Sequence, residues 1–308
     1  MKNILIIGGS YFVGRILVEE LLLHNDYNIF VYNRGNRALN KKGVTELIGD
    51  RNDANCIKQI IPDLQWDALI DFCGYTPQQI EIMLDALPGT VKHYIFISTT
   101  TVNQDVFDLP VNEDSVKLDK IQPELGQYAD YGYNKWLSEC KLKELCQQKN
   151  IPETSLRPAI IYGEYNYAPR ETYFFDLIKD DKTVILPNNE LPLYSFVYVV
   201  DVARIIIKTI GNTDLFNQAF NISAPELISY KRMIEVFEEI SGKKINTRKM
   251  SIENINRKGV PLPFPLDSHL IYSGTRIQNL LNFEYTSFVK GMRQTYEYYQ
   301  MVQKQREK

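Results

Sequence analysis

The chain opens "MKNILIIGGSYFVGRILVEELLLHN". An apolar run breaks on Gly8-Gly9 and passes directly into a helical pattern over 12–25. A strand, a glycine turn and a helix in that order leave few choices. The strand is apolar on both faces, so it has to be covered on both. The alternation recurs: "NIFVYN" (28–33), "VTELIGD" (44–50), "DALIDF" (67–72), "HYIFIS" (93–98) and the start of "TSLRPAIIYG" (154–163) read as strands. Helices are expected over 77–87, entered at Pro77, and over 129–148. Right-handed crossovers between such strands give an α/β fold with a Rossmann-type, doubly wound parallel sheet.

The second half is less regular. Residues 164–195 are rich in Tyr, Pro and Asn, and 251–268 hold Pro261, Pro263 and Pro265; both read as loops of a smaller C-terminal substrate lobe. Between them, "SFVYVVDVARIIIKTI" (195–210) reads as a strand and helix rejoining the core, and "AFNIS" (219–223) as a further strand. Helices are expected over 229–241 and 287–302, and the tail "QKQREK" is expected to fray. The division is thus a Rossmann-type domain over 1–163, with 195–223 returning to it, and a smaller lobe built mainly from 164–194 and 224–308.

Composition narrows the function classes. A net charge of −3 supplies no global field for nucleic acid or membranes. The four cysteines form no C-x-x-C pair, and no Cys/His cluster has zinc-ligand spacing, so no metal site is expected. Reduced thiols fit a cytoplasmic protein. The N-terminal apolar run is too short for a signal peptide, and no run is long enough to span a bilayer.

The first turn carries the first chemistry. Helix N-termini present unpaired N–H groups and partial positive charge, and a pyrophosphate can rest there. Gly8 and Gly9 permit a tight turn, Gly14 lets helix and strand pack closely, and Ser10 can hydrogen-bond a phosphate. Tyr11 stands where such turns usually have their middle glycine; its ring is expected to point outward or to cover the phosphates. Tyr11, Phe12 and Val13 complete the candidate cofactor loop. After the second strand come Asn33 and Arg34, with Arg37 close by, where a carboxylate would grip a ribose 2′-hydroxyl. Arginine attracts a 2′-phosphate instead, which favours NADP, with NAD the alternative. Asp50, after the third strand, is a candidate acceptor for the adenine amino group.

"YGYNKW" places Tyr131 and Lys135 four apart on one helical face. A free tyrosine, with a pKa near ~10, is a poor base at neutral pH. A nearby ammonium and a cationic nicotinamide would both favour its phenolate. Tyr131 can then take a proton from a substrate hydroxyl, or return one, while Lys135 also holds the nicotinamide ribose. "FISTTTV" (96–102) ends the fifth strand in hydroxyls, where ligands bind in this architecture.

Together these segments resemble the extended short-chain dehydrogenase/reductases, the NAD(P)-dependent sugar-nucleotide epimerase/dehydratase family. The resemblance implies Thr99, Tyr131 and Lys135 as the catalytic set, with Ser98, Cys73 and Pro158 lining the cofactor. It also implies a small, sugar-like substrate and a homodimer formed through the helices at 77–87 and 129–148. "FCGYTPQQIE", "VYNRG", "APRETYFFD" and "FPLDSH" resemble more narrowly the subgroup of chloroplast stem-loop RNA-binding proteins and their bacterial relatives, so RNA is the alternative partner. Thr100-Thr101 stand where the family's 4,6-dehydratases carry Asp-Glu, which argues against dehydration. The arginine that grips a nucleotide diphosphate two residues before the "FVYVVD" segment is here Tyr194. Thr100, Arg170, Tyr194 and Arg257 are the candidate substrate contacts, with Arg276 a further substitute cation.

Overall fold

The computed structural model describes residues 1–105 and 108–307. Seven strands form the large sheet: β1 (Lys2–Ile7), β2 (Tyr27–Asn33), β3 (Val44–Ile48), β4 (Ala68–Asp71), β5 (Tyr94–Ile97), β6 (Glu153–Pro158) and β7 (Gln218–Ile222). Their spatial order is β7-β6-β5-β4-β1-β2-β3, and every pairing is parallel. The order reverses beside β1, between β2 and β4. That is the topological switch point, where open α/β sheets take ligands at the carboxyl ends of their strands. The expected Rossmann-type sheet is present.

The helices are α1 (Phe12–Leu22), α2 (Ala54–Ile60), α3 (Pro77–Ala86), α4 (Tyr131–Lys149), α5 (Glu171–Lys179) and α6 (Val199–Thr209). Helices α1 and α6 pack together, as do α3 and α4. Buried side chains of β1 point alternately into two apolar clusters. Ile4 and Ile6 meet α1 and the C-terminal elements, while Leu5 and Ile7 join Ile57, Trp66 and Met83.

Of the segment 195–223, β7 enters the large sheet and α6 covers α1. The strand Tyr194–Tyr198 instead pairs with Ile160–Tyr162 and Leu227–Ile228 in a separate small sheet. The stretches read as loops are more ordered than expected. They contain α5, the strand Val184–Pro187 and the helix Ile252–Lys258. The charged tail does not fray as expected: the last helix, Phe288–Arg306, runs through it, and Lys179 donates to Gln303 and Glu307, each at 3.1 Å. Lys308 lies outside the described residues.

Candidate functional site

The glycine turn is built for close approach. Gly8 has φ +100°, in the region only glycine enters freely. A Cβ on Gly14 would fall 2.4 Å from the Gly9 Cα, so α1 can begin only this close to β1 with glycine there. No side chain caps α1, which leaves its first N–H groups for an anion. Phe12 and Val13 send their side chains into the core, so these two offer a ligand only their backbone. Tyr11 lies at φ −145°, ψ 150°, ordinary extended backbone that does not require glycine. Its ring contacts Arg37, whose Cζ is 3.9 Å from the ring centroid, and Tyr167, stacked at 5.6 Å and 25°.

A cleft of about 380 Å³ runs from this turn along the ends of β2, β3 and β4. Gly8, Ser10, Tyr11, Asn33, Arg34, Arg37, Asp50 and Cys73 all line it. Arg34 and Arg37 are exposed. The Asn33 Oδ1 accepts from the Gly35 N–H at 2.7 Å, while its buried Nδ2 has no partner. The Asp50 Oδ1 accepts from Asn52, through backbone N–H and Nδ2. Burial pushes the Cys73 thiol up to about 11.

The sequence reading missed the floor of this cleft. Arg51 donates to both oxygens of the fully buried Asp71, which also accepts from the Tyr94 hydroxyl and the Cys73 N–H. Tyr75 and Tyr167 were missed as well: Tyr75 lines the cleft, and Tyr167 stands over the turn. The unusual density of tyrosine over 162–173 was the one available signal for Tyr167.

The catalytic candidates lie at the carboxyl end of β5. Tyr131 is the first residue of α4, and a Cβ on Gly132 would come within 2.4 Å of the Thr101 carbonyl. That contact presses the start of α4 against the Thr99–Thr101 segment. Desolvation pushes the Tyr131 phenol up to about 12, and Tyr167 adds to the rise; the Thr99 hydroxyl and the Arg170 guanidinium pull the other way. The expected help from Lys135 is absent. Its buried ammonium donates to the carbonyls of Ile97 (2.7 Å) and Gly74 (3.0 Å) and lies 4.3 Å from the Phe96 ring centroid. Burial lowers its pKa to about 8. Ser98 is buried with no partner for its hydroxyl, and the Pro158 carbonyl ends β6 beside it, accepting from Thr100 at 3.4 Å.

Of the substrate candidates, Arg170 lies close enough to Tyr131 to act on its charge, and it donates to the Ile161 carbonyl at 3.2 Å. The others need correction. Thr100 is buried and its hydroxyl is turned into the protein. Tyr194 is fully buried against Tyr230 and Phe264, donates to the Pro265 carbonyl, and offers a ligand no surface. Arg257 is exposed on its short helix and held by Asn254. Arg276 pairs with Gln218 at the amino end of β7, the opposite end of the sheet from the site. No group of three or more His, Cys, Asp or Glu suited to a metal exists among the described residues.

Residues 79–223 match the model of the NAD dependent epimerase/dehydratase family. That stretch of the chain is similar to the family. The UDP-glucose 4-epimerase of Vibrio cholerae is 26% identical over 261 residues, 76% of this chain and 74% of that protein. The chloroplast stem-loop binding protein of 41 kDa b of Arabidopsis thaliana is 25% identical over 255 residues, 78% of this chain. The chain spans only 64% of the length of that relative. The fold is that of a Bacillus cereus UDP-glucuronic acid 4-epimerase, whose structure holds UDP-glucuronic acid and NAD (TM-score 0.74, 17% identity, 97% of this chain and 99% of that one). No helix among the described residues is long and apolar enough to cross a membrane.

Proposed function

We propose that this chain is an NADP-dependent epimerase or keto-reductase acting on a hydroxyl or ketone carbon of a sugar-like substrate. The observation that carries the proposal is Tyr131, packed against the Thr99 segment, near Arg170 and one helical turn from Lys135. The glycine turn fits a dinucleotide, since its helix end is uncapped and its glycines let strand and helix approach closely enough to present that end to a pyrophosphate. Arg34 and Arg37 would hold a 2′-phosphate, and Ser98, Lys135 and Pro158 would flank the nicotinamide end. When bound, the dinucleotide supplies hydride exchange with the substrate carbon. Thr99 hydrogen-bonds the reacting oxygen, and Tyr131 gives or takes its proton. Arg170 is the cation available to a substrate anion. Without a carboxylate pair after Thr99, water elimination is not part of the proposed chemistry.

Tyr131→Phe tests the reading. Turnover should fall at least about 100-fold, the usual scale of general acid–base help, with NADPH affinity nearly unchanged. A variant as active as the parent would sink it. Ligands released from the purified protein and identified by mass spectrometry would narrow the substrate. A second reading rests on the relative named as a stem-loop binding protein: a dinucleotide-holding protein that binds RNA. It predicts salt-dependent RNA affinity that survives Tyr131→Phe; absence of RNA binding at low salt removes it.

A further inference from the structure

We propose that Tyr11 is a positioning residue for cofactor choice: its ring holds the Arg37 guanidinium ready for the 2′-phosphate of NADP. The proposal rests on the NADP reading above and deepens it. Arg37 belongs to the loop after β2, where the adenosine ribose of a dinucleotide lies in this architecture. A long side chain on an exposed loop ordinarily samples many rotamers. Here the guanidinium lies 3.9 Å from the centroid of the Tyr11 ring, which also stacks with Tyr167.

This contact is with the ring, not with a hydrogen-bond acceptor. The guanidinium's N–H edges remain free, and neither Arg37 nor Arg34 makes a hydrogen bond or ion pair among the described residues. Other exposed arginines are divided: Arg204 and Arg293 pair with glutamates, while Arg248 and Arg306 make no side-chain hydrogen bond or ion pair among the described residues. Two unpaired guanidiniums therefore line one end of one cleft. The carboxylate sharing it, Asp50, is engaged by Asn52. The backbone at Tyr11 does not explain an aromatic residue there, since φ −145° and ψ 150° suit almost any side chain. The ring's partners do: it fixes in advance an arginine that would otherwise lose entropy on binding.

The test titrates NADPH and NADH against the purified full chain, following intrinsic fluorescence. The parent should prefer NADPH. Tyr11→Ala should weaken NADPH about fivefold, the scale of an exposed cation–π contact, and leave NADH within twofold (about 0.4 kcal/mol), which also reports that the turn is intact. Tyr11→Phe, which keeps the ring, should behave as the parent. In an Arg37→Ala background, Tyr11→Ala should cause no further loss of NADPH affinity. Equal loss of both cofactors in Tyr11→Ala, loss in Tyr11→Phe, or additive losses with Arg37→Ala would each overturn the role of Tyr11 while leaving the NADP reading standing. A parent that does not prefer NADPH would overturn both.

Discussion

Arg51 donates from Nη1 to both carboxylate oxygens of Asp71, at 2.7 and 3.0 Å, beneath the floor of the cleft beside the glycine turn. The two residues are 20 apart in sequence, and both are buried. Breaking such a pair costs more than the pair contributes, because one charge is left in the protein unmatched. Asp71→Leu should therefore destabilise the chain by about 3–5 kcal/mol. Adding Arg51→Met should recover at least half of that. Urea unfolding of the single and double variants checks it.

In the proposed chemistry Lys135 acts at the nicotinamide end rather than on Tyr131, and the loss of its charge there sets an upper pH limit. Burial holds its pKa down at about 8, so the ammonium is present below that pH and lost above it. The Tyr131 phenol stays protonated to about 12. In the direction of ketone reduction, kcat/KM should fall as pH rises through about 8. Lys135→Arg should move this limb to higher pH, even where the rate itself drops. A pH–rate profile of both proteins reads the shift.

Glu153 gives stability a pH dependence of its own. It is buried at the start of β6, and burial, helped by Glu139, raises its pKa from 4.5 to about 7. The folded chain thus holds a proton that the unfolded chain releases between these values. Its contribution is full below pH 4.5 and falls as pH rises to about 7. The loss is roughly 3 kcal/mol if the whole shift is expressed. Glu153→Gln should be the more stable protein at pH 8 and show little advantage at pH 5. Parallel denaturant titrations at the two pH values measure the difference.

Gly14→Ala should damage both fold and site. The new methyl would meet the Gly9 Cα at 2.4 Å, which is backbone and cannot turn aside. Forcing it in costs about 1–3 kcal/mol and pushes α1 away from the turn. A lower thermal midpoint and much weaker dinucleotide binding are expected together. Calorimetry with and without NADPH reports both.

The parallel sheet and the turn were legible because each rests on local chemistry. Continuous apolar runs mark buried strands, and glycines mark the close approach. Tyr131 and Lys135 were legible as a pair because four residues on one helix fix their separation. Arg51 and Asp71 were not, since β3 and β4 bring them together only after the sheet has formed. Helix α5 was obscured by its flanks: nine residues with buried Phe174, Phe175 and Ile178 sit in a stretch rich in loop-forming residues. Thr100 and Tyr194 were read as ligand contacts from their place in a motif. Which way a side chain points from that place is decided by packing, which no motif records.

Tyr194 also limits how this chain can change. An arginine introduced there would put an unmatched guanidinium among Tyr230, Phe264 and the small sheet, where the phenol now sits fully buried. No single substitution at that position installs a diphosphate grip without first rebuilding the core behind it. The loop that carries Tyr167 and Arg170 carries no such burden: both side chains keep solvent contact, so they can be exchanged while that core stays intact.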